Sequence, residues 1–240
     1  MAEPRDDLET LGVLAEPSRR ALYDFVVDQH RWVGREQAAD AVGLQRGIAA
    51  HHLDRLADAG LLEVGYQRLT GRSGPGAGRP AKVYRRADVE LEVTLPARDY
   101  ELASRLLATA ADRSRRDGVP IERALDDAAR GVGVAIGKQA RQGLTSRASV
   151  ATRRARLIDE LTTLGFEPGE AAGGETVLHN CPFHRLAQDH TELVCGMNLC
   201  LLDGVLDALG GTGLRAELTP DDDHCCVRFL RTGQANDDPS

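Results

Sequence analysis

The chain has 240 residues, enough to bury one or two cores, and its 42% hydrophobic and 28% charged residues are the balance of a globular polypeptide rather than a disordered one. No run approaches the roughly 20 apolar residues of a membrane-spanning helix, and the acidic stretch 1–7 is unlike a basic, apolar signal peptide, so a cytoplasmic protein with no membrane partner is expected. The net charge of −7 would repel nucleic acid if it were evenly spread, but residues 1–87 hold 13 basic and 12 acidic side chains while 88–240 hold 17 and 25.

Pro17 and Ser18 precede Leu22, Phe25 and Val26 at helical spacing, which predicts a first helix over 18–29. A second is expected over 35–41, carrying Ala38 and Ala39, with Val42 beyond it and Gly43 as its stop, because glycine accepts the left-handed backbone that ends helices. A third, 45–59, repeats Ile48, Leu53 and Leu56 as an inward stripe and stops at Gly60. Two helices joined by a short turn containing glycine have helix-turn-helix spacing. Residues 61–66 and 82–86 read as strands on either side of 71–80, a loop too rich in Gly and Pro for regular structure. That order is a winged helix-turn-helix, expected over residues 1–90.

From Gly65 to Ala87 the chain has Arg68, Arg72, Arg79, Lys82, Arg85 and Arg86 and no acidic residue. Such self-repulsion is relieved by a polyanion. In this motif the second helix enters the major groove with its N-terminal residues at base edges, while the wing touches backbone or minor groove. Gln45, Arg46, His51, His52 and Arg55 are therefore assigned to the groove of double-stranded DNA, and Arg68, Arg72, Arg79 and Lys82 to wing contacts. Glutamine suits adenine and arginine guanine. The plainer alternative makes these residues solvated surface and the wing a polar loop.

Beyond the wing, 89–95 reads as a short strand or connector, and 100–116 as a helix by the spacing of Leu102, Leu106, Leu107 and Ala110. Pro120 opens another, 121–142, whose Gly131, Gly133 and Gly137 lower helix propensity but permit close backbone approach. This section, 91–148, is expected to be a helical linker or dimerisation element, with ordinary internal packing as the equal alternative. A helix over 150–164, a strand over 176–178, a long helix over 190–209 and a hairpin of 214–218 with 225–230 complete a small α/β sensor domain over 149–240. The fold class expected is α+β, mainly α.

All five cysteines follow residue 180: Cys181, Cys195, Cys200, Cys225 and Cys226, with His179, His184, His190 and His224 among them. In a reducing compartment they are metal ligands, redox sensors or buried thiols rather than a disulfide framework. Their spacing is not that of a CxxC zinc ribbon, and it leaves metal or cluster binding and plain burial both open. Folding that joined a strand end, the long helix and the terminal hairpin would assemble a thiolate-held cluster. Neighbours in a regular strand face opposite ways, so Cys225 and Cys226 are not expected to hold one metal together. Cys200 reads as a core residue. No phosphate loop, GxSxG or HExxH sequence accompanies them, so no enzyme is expected, a thiol enzyme using Cys181 or Cys195 with a histidine being the alternative of another class.

HNCPFHRLAQDHTELVC from His179, GMNLCLLDGVLDALG after it and the later HCCVRF resemble the C-terminal region of the SufR-like regulators, an ArsR-related group of winged-helix proteins. LAEPSRRALYDFV, HHLDRLADAGLLE and GRPAKVY resemble the N-terminal half of the same group. The resemblance implies a homodimeric repressor whose affinity for an operator depends on an iron-sulfur cluster, four irons rather than two, and which governs cluster-assembly genes. It implies Cys181, Cys195 and Cys226 as ligands. The fourth is left among Cys225, Cys200, His184 and a non-protein ligand, with Asn198 standing where relatives carry His. A zinc-stabilised regulator, or one answering a small organic ligand, is the alternative.

Overall fold

The computed structural model describes residues 7–67, 80–171, 174–219 and 224–232 and is α+β, mainly helical, with two small antiparallel sheets. The chain divides into two units, Met1–Val93 and Thr94–Ser240. The helical section expected over 91–148 falls, from Thr94 on, within the second unit.

In the first unit, α1 (Asp7–Gly12) and a 3-10 turn (Val13–Ala15) lead to α2 (Pro17–Asp28). Glu16 caps α2, its carboxylate accepting from the Ser18 and Arg19 backbone N–H groups at 3.0 and 2.6 Å, while Pro17 occupies a first-turn position that needs no donor. The short strand β1 (Val33–Gly34) precedes α3 (Arg35–Val42), which ends on Gly43 at φ 72°. Leu44 and Gln45 complete the turn, and Gln45 is the N-cap of α4 (Arg46–Asp58). Leu22 and Val26 of α2, Ala38 and Ala39 of α3 and Ala49, Leu53 and Leu56 of α4 close one core with Val33, Leu61, Leu62 and Tyr84. Fully burying a Leu or Val contributes about 1.5–3 kcal/mol. Ile48 does not join them. It is 46% exposed, because Ala49 and Leu53 already fill the inward face of the helix and Ile48 lies on the other side.

Strands β2 (Leu62–Gln67) and β3 (Ala81–Arg86) pair antiparallel in unbroken register from Leu62↔Arg86 to Gln67↔Ala81, and β1 adds to β3 through Val33↔Tyr84. The sheet order is β1-β3-β2. Trp32 lies across it: a Cβ added to Gly65 would stand 3.0 Å from the indole ring, and the Arg85 guanidinium sits 4.5 Å from the ring centroid.

The second unit begins with α5 (Tyr100–Asp117), capped by Asp99, whose carboxylate accepts from the Leu102 N–H at 2.8 Å. Helix α6 (Ile121–Arg141) follows, then α7 (Val150–Thr163), β4 (Pro168–Glu170), β5 (Thr176–Leu178), α8 (His184–Asp189), α9 (Thr191–Leu209), β6 (Leu214–Leu218) and β7 (Val227–Arg231). The sheet is antiparallel in the order β4-β5-β7-β6. The elements not expected from sequence are α1, β1, β4 and α8, each six residues or fewer, and residues 89–95 form no strand. Such short pieces carry almost no periodicity to read.

Gly133 and Gly137 of α6 serve internal packing, whereas Gly131 is exposed and a Cβ there would meet nothing within 4 Å. A Cβ on Gly133 would lie 1.9 Å from the Leu201 carbonyl oxygen, one on Gly137 2.4 Å from that of Val205, and one on Gly204 2.5 Å from that of Arg130. Helices α6 and α9 therefore touch backbone to backbone, and Leu125, Ala129, Leu201, Leu202, Val205 and Leu209 seal the contact. This joins α6 to the cysteine-bearing helix in one core.

Candidate metal centre and candidate nucleic-acid interface

Three elements bring four thiols together. Cys181 follows β5, in a turn anchored by buried Asn180, whose amide donates to the Ala97 and Gly165 carbonyls at 2.9 and 2.6 Å and whose oxygen accepts from Arg98. Cys195 lies in the second turn of α9. Cys225 and Cys226 precede β7, whose first residue is Val227, two later than the strand expected over 225–230. Outside a regular strand the alternation rule does not bind, and both thiols join the same group. The Cys225 backbone N–H donates to the Leu178 carbonyl at 2.8 Å, tying this loop to the end of β5.

The thiols interact in succession, Cys181 with Cys225, Cys225 with Cys226 and Cys226 with Cys195. The interaction with Cys225, together with burial, pushes the Cys181 thiol far up. At Cys225 the interaction with Cys181 pulls down, but that with Cys226 and burial carry the balance upward. Cys226 is pushed up by Cys195 and by burial, with Cys225 opposing. Cys195 is held below the ordinary thiol value by Cys226, with burial and the nearby Cys181 and Cys225 opposing.

Asn198, 1% exposed and one turn beyond Cys195, donates its amide to the Cys225 sulfur at 3.3 Å. Its own oxygen is buried and has no partner among the described residues. A buried acceptor left in that state costs about 1–3 kcal/mol, so the chain's own hydrogen bonds leave this spot incomplete. The rings of His179 and His224 lie 4.9 Å apart, the former against Gly169 of β4. Among the described residues no three His, Cys, Asp or Glu side chains already converge on one ion. As a donor set, four soft sulfurs at one place fit a thiolate-held metal group better than a hard cation.

The remaining candidates lie elsewhere. Cys200 is half-buried, its thiol pushed up to about 11 first by burial and then by the Asp126 carboxylate to which it is hydrogen-bonded. His184 is exposed at the start of α8. Of the residues open as a fourth ligand, Cys225 alone is joined to Cys181 and Cys226. The sequence leaves Cys225 open as a fourth ligand, with the alternation of a regular strand against it, and its signal there is the adjacent pair itself.

In the first unit, Gln45, Arg46, His51 and Arg55 are exposed on α4. Arg46 pairs with Glu36 across the turn, an exposed pair worth little. His52 is turned inward, 14% exposed, with Nδ1 accepting from Arg19 Nε at 3.4 Å and Nε2 3.7 Å from Glu16. Lys82 donates to the Asp54 carboxylate, which also accepts from the Tyr84 hydroxyl at 2.6 Å. Partial burial works against the Asp54 charge, but these two bonds outweigh it and hold its carboxyl below the ordinary value. Arg68, Arg72 and Arg79 lie outside the described residues.

No family model, curated protein or solved structure matches the chain. None of the described helices is long and apolar enough to cross a membrane.

Proposed function

We propose that the chain is a DNA-binding transcriptional regulator, in which α3, the Gly43 turn, α4 and the β2–β3 hairpin act as a winged helix-turn-helix and a thiolate-held iron-sulfur cluster in the second unit sets operator affinity. The observation that carries the reading is the gathering of Cys181, Cys195, Cys225 and Cys226, scattered over 46 positions, into one interacting group in a chain whose other unit exposes Gln45, Arg46, His51 and Arg55 after a glycine turn. The four cysteines would hold the cluster, with Cys225 as the fourth ligand. Such a group adds redox sensitivity and a cross-link between elements that the sequence keeps far apart. Asn198 and Asn180 orient Cys225 and Cys181, and Cys195 is the thiol readiest to lose its proton. On DNA, Gln45, Arg46, His51 and Arg55 face the major groove, and a homodimer reads two half-sites about 34 Å apart. Repression of cluster-assembly genes follows from the resemblance to the SufR-like regulators.

Protein purified without oxygen tests this. Visible absorbance with matched iron and sulfide, lost in Cys181→Ser and Cys225→Ser, together with a promoter-DNA affinity that changes on cluster loss, is the expected result. Colourless protein containing zinc, or affinity indifferent to cluster loss, overturns the sensing half. Failure to bind duplex DNA in either state overturns the whole.

A further inference from the structure

The first two turns of α4 carry two residues that the fold of the unit does not use. Ile48 is the only large apolar side chain of this helix left outside the core, at 46% exposure. Gly47, beside it, is exposed, and a Cβ built there meets nothing within 4 Å. A helical glycine costs stability relative to alanine, and neither left-handed backbone nor close packing within the chain requires one here. An exposed isoleucine beside a missing side chain is a surface shaped for something that approaches closely and is apolar at one point.

The surroundings say what that is. Gln45, Arg46, His51 and Arg55 share the exposed side with Asp58, and Arg46 is paired with Glu36, so the helix itself is charge-balanced; the excess cations of this unit lie in the segment that follows, 65–87, which holds six and no acidic residue. They favour a polyanionic occupant, which must also offer Ile48 a small apolar feature. Duplex DNA has one in its major groove, the 5-methyl group of thymine, which no other base carries there. We infer that Ile48 is a specificity-determining residue packing on a thymine methyl, and that Gly47 lets the helix come close enough for it to do so. This rests on the DNA-binding reading above.

The experiment uses the full-length dimer, both cluster-loaded and cluster-free, to select sites from a random duplex pool. Affinity is then measured for the best site with thymine or uracil at each enriched thymine, in the wild type, Ile48→Ala and Gly47→Ala. The expected result is one thymine per half-site whose replacement by uracil weakens wild-type binding about fourfold, the value of one buried methyl, and leaves Ile48→Ala binding unchanged. Gly47→Ala should melt higher than the wild type while binding that site at least tenfold more weakly, an opposition that a purely structural role would not produce. The inference is overturned if uracil weakens wild type and Ile48→Ala equally, if no thymine is selected, or if Gly47→Ala binds normally. Selection of sites indifferent to Ile48 leaves the DNA-binding reading standing, whereas selection of none in either state removes both.

Discussion

Helices α4 and α9 each carry the chemistry of their unit, and they are built in opposite ways. α4 buries one narrow stripe, Ala49, Leu53 and Leu56, and leaves Arg46, Ile48, His51 and Arg55 outside. α9 buries a much wider face, leaving Leu193, Gly196, Cys200, Asp203 and Asp207 on its open side, because α6 lies against its backbone at Gly204 and the loop before β7 covers Cys195 and Asn198. A contact face on α4 can thus change without disturbing the fold, whereas at α9 the thiol site and the core are the same atoms. The lesson is that function and stability should separate in the first unit and move together in the second.

The most severe test of that contrast is Gly204→Val. Its new atoms would meet the Arg130 carbonyl at 2.5 Å, so the second unit should lose about 3 kcal/mol or more, beyond ordinary overpacking, as a collapse of the thermal transition followed by circular dichroism. Next comes Cys195→Ala. Metal content in protein prepared without oxygen should fall to background, and the metal-free protein should lose about 1–2 kcal/mol in a urea titration, as the Cys226 thiol loses its partner. A variant with unchanged stability would mean that site and core are separable after all.

Asp54→Asn should cost the first unit about 1 kcal/mol at neutral pH, discounted because the carboxylate is 46% exposed. The folded carboxyl has the lower pKa, so its contribution is complete above the ordinary value of 3.8 and disappears as the pH falls through the folded value. Melting curves of wild type and variant should therefore converge in acid; curves that stay apart would deny the Asp54–Lys82–Tyr84 linkage. The smallest effect on stability is expected for Arg55→Ala, within about 0.5 kcal/mol, with the slope of log affinity for DNA against log salt reduced by about one. Equal losses of stability and binding there would break the contrast from the other side.

The helices of the first unit were legible because Gly43 and Gly60 stop them and Leu22, Val26, Leu53 and Leu56 recur at helical spacing. The direction of Ile48 was not, since periodicity places a residue near a stripe but does not say how much of the stripe its neighbours already fill. His52 shows the same limit: its sequence neighbour His51 is exposed, while its own environment comes from Arg19 and Glu16 on another helix. In the second unit, the cysteines announced themselves by clustering after residue 180, but the part played by Cys225 depended on whether the strand began at it or two residues later.

The sequence by itself determined the longer helices to within a residue or two, the uneven charge and the confinement of every thiol to the second unit, because propensity, capping and composition act over a few neighbouring residues. Only the tertiary structure decided that Gly133 and Gly137 of α6 serve α9, that four of five thiols form one group and that Ile48 is left outside. Each of those depends on backbones and side chains far apart in sequence coming within a few ångströms, and no local pattern encodes that distance.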